Sequence, residues 1–251
     1  MLSSLFITEV RLKEEPDELK DSYIHALPVV KNLTSIEFRK PVTFFAGENG
    51  TGKSTLLEAI AVCAGFNPEG GTRNFNFSSK ETHSALHRRL AVTRGYKRAR
   101  DGFFLRAESF YNLATEVDRL DEIVTSSPPL LHSYGGRSLH NQSHGESFLS
   151  LILNRFGGEG LYILDEPEAA LSPNSQLTLL AQMKHLTEQG SQLIIATHSP
   201  ILMAYPDADI YVLTQDEIAL TPYKQTEHYL LTKQFLDCPE RMLGLLFGEE
   251  V

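Results

Sequence analysis

The sequence predicts an α/β layered domain. Two patterns carry this. Short apolar runs that read as buried strands alternate with stretches of helical spacing, and a glycine-rich loop joins one such run to the helix that follows it.

Residues 42–46 (VTFFA) are apolar, β-branched and aromatic, as a buried parallel strand requires. The loop 47–52 follows. Residues 54–64 (STLLEAIAVCA) then place Leu56, Leu57, Ile60 and Ala61 on one helical face, and Gly65 ends the run. Cys63 falls within that spacing and reads as core. The middle, about 66–145, is richer in Gly, Asn, Ser and charge. It holds one strand-like patch (GFFL, 102–105) and a helical spacing over 110–124, and it reads as a subdomain inserted into the main sheet. After it come a helix (145–156), a buried strand (LYIL, 161–164), a helix (175–188) and a second buried strand (QLIIA, 192–196). A closing hairpin (210–213 and 218–221, joined by TQDE) and helical spacing over 226–247 complete the chain. The expectation is a single domain, 1–251, with the insertion inside it.

The 251 residues are 41% hydrophobic and 22% charged, ordinary for a globular chain able to bury a sizeable core. No apolar run reaches membrane-spanning length, which excludes a self-contained transporter. The start, MLSSLFITEVRLKEE, has no basic region followed by a long apolar block, so no signal peptide is expected. The two cysteines, Cys63 and Cys238, make no disulfide framework, and a cytoplasmic location is expected. The net charge of −9 argues against a globally basic nucleic-acid binder. One stretch runs the other way: residues 88–100 (RRLAVTRGYKRAR) carry six Lys/Arg and no acid, a solvated basic loop or a place for nucleic-acid phosphates.

GENGTGKST (47–55) has the G-x-x-x-x-G-K-S pattern of a phosphate-binding loop. Its glycines let the backbone N–H groups around Gly47, Asn49, Gly50 and Gly52 turn inward on an anion, and the helix start adds a positive end. Lys53 supplies charge for β- and γ-phosphates, Ser54 a hydroxyl for Mg²⁺, and Thr55 a hydroxyl near the α-phosphate. A strand then delivers Asp165 and Glu166 (LYILDEP). Asp165 suits Mg²⁺ and Glu166 suits the orientation or deprotonation of an attacking water. His198, in THSP after QLIIA, sits at another strand end, where it can sense the γ-phosphate. In NQSHGES (141–147), the amides at Ser143 and Gly145 open a helix and could hold a second phosphate, while Ser143 with Glu146 also makes a capping-box pattern. A second phosphate-binding helix start makes sense if it grips nucleotide held by another chain. His140 and His144 have zinc-pair spacing but no accompanying ligands. Tyr23 and Phe38 are upstream aromatics able to stack on a base, although an aromatic in that position, Phe38 above all, is more often core.

GENGTGKST, SHGE, LYILDEP, ALSP and ATHSP, in that order, resemble the ATP-binding-cassette (ABC) ATPase superfamily. The resemblance implies a phosphate-loop NTPase fold, with an ABC-type mixed sheet flanked by helices and an inserted helical subdomain. It also implies ATP and Mg²⁺ as cofactors and ATP sandwiched at a dimer interface, most simply a homodimer. Gln142, Ser143, His144, Gly145 and Glu146 fall on the family's Leu-Ser-Gly-Gly-Gln/Glu signature, with Gln142 and His144 departing from it. Ala170–Pro173 falls on the dimer-contact loop, with Ser172 in place of its usual Asp. His198 matches the switch histidine. No glutamine matches the family's glutamine loop, and Glu108 is the substitute, which would add it to Ser54 and Asp165 around the metal. DEPEAALSP and THSP resemble the branch containing chromosome-maintenance and repair ATPase heads and stand-alone bacterial ATPases. The expected function is ATP hydrolysis driving a conformational cycle in DNA maintenance, defence or another soluble assembly. The alternative is the energy subunit of a membrane transporter, which would bring a membrane partner. The presence of Glu166 and His198 disfavours a protein that binds ATP without cutting it.

Overall fold

The computed structural model describes residues 4–13, 23–73, 85–108, 110–121, 133–134, 136, 138–141 and 143–248. Strand β1 (Ile7–Leu12), helix α1 (Pro28–Asn32) and β2 (Ser35–Glu37) lead into β3 (Val42–Ala46) and α2 (Lys53–Ala64). Helix α3 (Leu86–Arg89), β4 (Leu90–Arg94), β5 (Asp101–Arg106) and α4 (Phe110–Asp121) follow. The chain continues with α5 (His144–Arg155), β6 (Gly160–Asp165), α6 (Pro173–Glu188), β7 (Gln192–Ala196) and α7 (Pro200–Met203). It closes with β8 (Ala208–Leu213), β9 (Ile218–Leu220), α8 (Glu227–Asp237) and α9 (Pro239–Phe247).

The main sheet has the order β5-β6-β7-β3-β8-β9. Every pairing in it is parallel except the closing β8–β9 hairpin. A second, antiparallel sheet has the order β2-β1-β4. Strands from the 66–145 segment therefore belong to both sheets: β4 to the small one and β5 to the edge of the large one. The helix expected over 110–124 is described to Asp121, and 122–124 lie outside the described residues. The apolar spacing over 226–247 resolves into two helices, because Pro239 cannot continue the first.

Main-sheet strands are apolar on both faces because both are covered. Phe45, Ile163 and Ile194 point to the side of α2 and the small sheet, among Val10, Leu56, Leu57 and Ile60. Phe44, Leu164 and Ile195 point to the other side, among Phe148, Leu151, Leu179 and Met183. Buried Gln192 ties the sheets together: its Oε1 accepts from the Phe6 and Ile7 amides, both at 2.9 Å, and its Nε2 donates to the Ile7 carbonyl at 2.9 Å. Outside this body, α9 buries only Gly244 and α8 buries nothing fully, while Leu236, Leu245, Leu246 and Phe247 are exposed.

Candidate nucleotide-binding site

Parallel pairing brings the carboxyl ends of β3, β5, β6 and β7 to one edge, the usual crevice of an open α/β sheet. Their C-terminal continuations are the glycine-rich loop, Arg106, Asp165–Glu166 and Thr197–His198.

The loop's shape depends on glycine at two places. Gly47 (φ 138°) lies so close to β8 that a Cβ would stand 2.1 Å from the Leu213 carbonyl oxygen, and Gly52 (φ 96°) would collide with Val29 Cγ1 at 2.4 Å. Thr51 braces the turn: its hydroxyl donates to the Glu48 carbonyl at 2.9 Å, and its carbonyl accepts from the Val29 amide at 3.2 Å. Asn49 and Gly50 are exposed at the tip, and Thr55 is half-buried on the first turn of α2. Lys53 is only 4% exposed, and its Nζ donates to the carbonyls of Gly47 (2.8 Å) and Glu48 (2.9 Å). Burial lowers its pKa, against the pull of Glu166, Asp165 and Glu168.

Ser54 Oγ donates to Asp165 Oδ1 at 2.9 Å. The Asp165 carboxylate is buried, and burial raises its pKa to about 6 even though Arg106 and the Ser54 hydroxyl lower it. A hydroxyl and one buried carboxylate are hard oxygen donors of the kind Mg²⁺ prefers, and phosphate oxygens and water would complete its shell. Among the described residues no cluster of three or more His, Cys, Asp or Glu could hold a metal, which also leaves His140 and His144 without a zinc site. Glu108 is not brought to Ser54 or Asp165 directly. Its exposed carboxylate lies 3.5 Å from Arg106 Nη2, while Arg106 Nε lies 3.5 Å from Asp165 Oδ2 and Nη1 donates to Glu58 at 2.9 Å. The missed residue here is Arg106, a cation shared by three carboxylates. Its place beside Asp165 follows from the β5–β6 register, which pairs the two.

Glu166 adopts a left-handed backbone (φ 49°, ψ 53°), a strain typical of functional positions. Its amide donates to the Ala196 carbonyl at 2.9 Å, and its Oε1 lies 3.4 Å from His198 Nε2. The third carboxylate of DEPEAA, Glu168, was also missed. It accepts from Thr197 Oγ1 at 2.8 Å and from the His198 amide at 2.5 Å, so it fixes the backbone that carries the switch histidine. Burial raises the Glu168 pKa, and those two hydrogen bonds oppose the rise. Gln176 on α6 adds a further tie by accepting from Ser199 Oγ at 2.5 Å.

Ser143 caps α5 in a full capping box. Its hydroxyl accepts from the Glu146 amide (3.4 Å) and donates to Glu146 Oε2 (2.6 Å), while its own amide donates to that carboxylate at 3.1 Å. Glu146 is thus engaged within the helix turn. Gly145 lets α5 approach the segment after Glu166: a Cβ there would stand 2.8 Å from the Ala170 carbonyl oxygen. His144 sits edge-on to Phe110 at 5.5 Å, which accounts for a ring where the resemblance expects glycine. Ser172 caps α6. Gln142 lies outside the described residues. Among the described residues, the polar partners of the Ser143 side chain lie within its own turn, not in the Lys53 loop.

Phe38 is core, packed edge-on to Phe45 at 6.5 Å, and offers no face to a base. The Tyr23 side chain lies outside what is described. Within 88–100, Arg89 is buried beside His25, and Arg100 pairs with Glu159 at 2.8 Å. Arg94, Lys97 and Arg98 join Arg73 and Tyr96 around a hollow whose lining contains no carboxylate.

An "AAA domain" family model matches residues 22–118, and a second, "AAA domain, putative AbiEii toxin, Type IV TA system", matches 146–204. The chain is 28% identical over 209 residues to the energy-coupling factor transporter ATP-binding protein EcfA1 of Fusobacterium nucleatum, covering 78% of each chain. It is 27% identical over 239 residues to the cobalt import ATP-binding protein CbiO of Salmonella typhimurium, covering 87% of each. A solved ATP-binding cassette of an ABC transporter superposes with a TM-score of 0.50 at 17% identity, over 93% of this chain and 98% of that one, and shares the fold. No helix among the described residues is long and apolar enough to cross a membrane.

Proposed function

Because this chain is an ATPase of the ATP-binding-cassette superfamily, we propose that it hydrolyses ATP as a nucleotide-driven dimer with each ATP held between two copies. The convergence of Lys53, Ser54, Asp165, Glu166 and His198 on one sheet edge supports this most strongly. In this reading the chain is one ATPase domain, 1–251, with about 66–145 inserted between the phosphate loop and the α5 tip.

The loop amides and Lys53 bind the phosphates. Ser54 and Asp165 would hold Mg²⁺, which when bound would neutralise charge on the β- and γ-phosphates. Glu166 orients and deprotonates the attacking water. His198 donates to the γ-phosphate. Ser143 and Gly145 of the partner copy present the α5 N-terminus to the same triphosphate from the other side. Closing of the dimer completes the site, so hydrolysis resets a mechanical state.

Two readings of the load differ. The curated relatives bear transporter names, and this supports an energy subunit with a membrane protein partner more than it supports a soluble assembly. The exposed leucines of α8 and α9 offer an apolar surface such an assembly could use. The soluble reading rests on the altered SHGE tip, on Glu108 in place of a glutamine, and on the acid-free basic hollow, which suits nucleic-acid phosphates. The test is a Glu166→Gln variant, which should bind ATP, cut it about 100- to 10,000-fold more slowly and accumulate as a closed dimer. Captured from native cells in that state, it should bring down a membrane protein in the first reading. In the second, nucleic acid should stimulate wild-type turnover, and neutralising Arg94, Lys97 and Arg98 should abolish the stimulation. A variant that stays monomeric with ATP would refute the sandwich.

A further inference from the structure

The His198 ring stands between two groups. Its Nε2 is 3.4 Å from Glu166 Oε1, and its Nδ1 is 3.3 Å from Nε2 of His228, near the start of α8. The two imidazoles are 5.5 Å apart, inclined at 53°. The start of α8 is itself fastened to the His198 loop. Thr226, 1% exposed, caps the helix by accepting from the Tyr229 amide at 3.3 Å and donates to the Tyr223 carbonyl at 2.8 Å. The Tyr223 hydroxyl then donates at 2.9 Å to the carbonyl of Pro200, two residues past His198. His228 therefore has little freedom to leave its neighbour.

The proton positions follow from elementary chemistry. A neutral imidazole has one N–H. The Glu166 carboxylate favours that proton on His198 Nε2, which leaves Nδ1 a bare acceptor. His228 must then donate through its own Nε2–H, so its Nδ1 is bare too, and that atom is buried without a hydrogen-bond partner. His198 Nε2 is likewise buried, and its 3.4 Å contact with Glu166 Oε1 falls short of full hydrogen-bond geometry, so its N–H can serve an incoming acceptor. Burial first, and the Lys53 charge second, lower the pKa of both histidines and keep both rings neutral.

We propose that His228 is a positioning residue for ATP hydrolysis: its Nε2–H fixes the His198 ring so that the His198 Nε2–H points to the γ-phosphate beside Glu166. This rests on the role given to His198 above. It also gives α8, otherwise outside the body of the fold, a direct hold on the catalytic edge.

The test compares His228→Ala, His228→Gln, His198→Ala and the double alanine variant in the full chain, by kcat, KM and ATP affinity. His228→Ala should lower kcat on the order of tenfold to a hundredfold, the range seen when an oriented imidazole elsewhere loses its outer partner, with ATP affinity within about twofold of wild type. His228→Gln should restore most of the rate, since its amide nitrogen can replace the Nε2–H. In the His198→Ala background, His228→Ala should cost nothing further, because both act through one ring. Wild-type turnover in His228→Ala, an undiminished further loss in the His198→Ala background, or a folded His228→Gln as slow as the alanine variant would each overturn the proposal. Unchanged turnover in His198→Ala would instead refute the parent role of His198, and that of His228 with it.

Discussion

The Ser54 hydroxyl donates to Asp165 Oδ1 over 2.9 Å, joining the first turn of α2 to the end of β6 across 111 positions of sequence. Neither residue recognises a nucleotide alone. Together they place an oxygen pair beside the buried ammonium of Lys53, in a crevice where a charge without a partner is costly.

That cost predicts a pH-dependent stability. Buried Asp165 titrates at about 6, against an ordinary 3.8. A raised acid favours the protonated form in the folded state, so this stabilising contribution is present below pH 3.8 and is lost as pH rises through 6. Metal-free Asp165→Asn should therefore be more stable than wild type at pH 8, by up to about 3 kcal/mol. The gap should close towards pH 4. Urea unfolding at the two pH values checks this, and an Asn variant less stable at pH 8 would contradict it.

Lys53→Ala should weaken ATP binding about 10- to 100-fold, the worth of one or two charged hydrogen bonds. The ammonium already lies over the Gly47 and Glu48 carbonyls, poised at the loop mouth. Calorimetric titration with ATP gives the ratio, and unchanged affinity would remove Lys53 from the site.

Gly145→Ala should leave ATP binding to the single chain intact while lowering turnover at least tenfold. The added Cβ would stand 2.8 Å from the Ala170 carbonyl, so α5 must shift, at a cost of about 1–3 kcal/mol. The shift moves the tip offered to the partner copy. Equal losses in binding and turnover would place Gly145 in the chain's own phosphate site.

Glu168→Ala should destabilise the fold by about 1–3 kcal/mol, because it strands the His198 amide and the Thr197 hydroxyl. It should also slow turnover by loosening His198. Thermal unfolding paired with kcat measures both, and a change in neither would show that the segment is held some other way.

Much of this site was legible in the sequence because its chemistry is local. GENGTGKST carries its own glycines, lysine and hydroxyl, and the runs before Asp165 and His198 announce buried strands that end in polar groups. Arg106, Gln176 and His228 were not legible, because their meaning lies in partners brought near by the fold: Arg106 by the β5–β6 register, Gln176 by α6, and His228 by a helix 30 positions beyond His198. Glu168 carried a signal, as a third carboxylate two residues after Glu166. The small sheet was missed because β1, β2 and β4 are short and mix charged with apolar residues. Phe38 reads as core more readily than as a base-stacking ring, and it is core, packed against Phe45.

The sandwich itself is tested most directly by mixing two inactive variants. Lys53→Ala spoils one half of each composite site, and Ser143→Glu spoils the other. If Lys53 of one copy works with Ser143 of its mate, mixed dimers hold one intact site, and an equal mixture should recover roughly a quarter of wild-type turnover by random pairing. If the mixture stays as inactive as its parts, while the Ser143 variant folds and binds ATP, then Lys53 and Ser143 do not share a nucleotide across two chains.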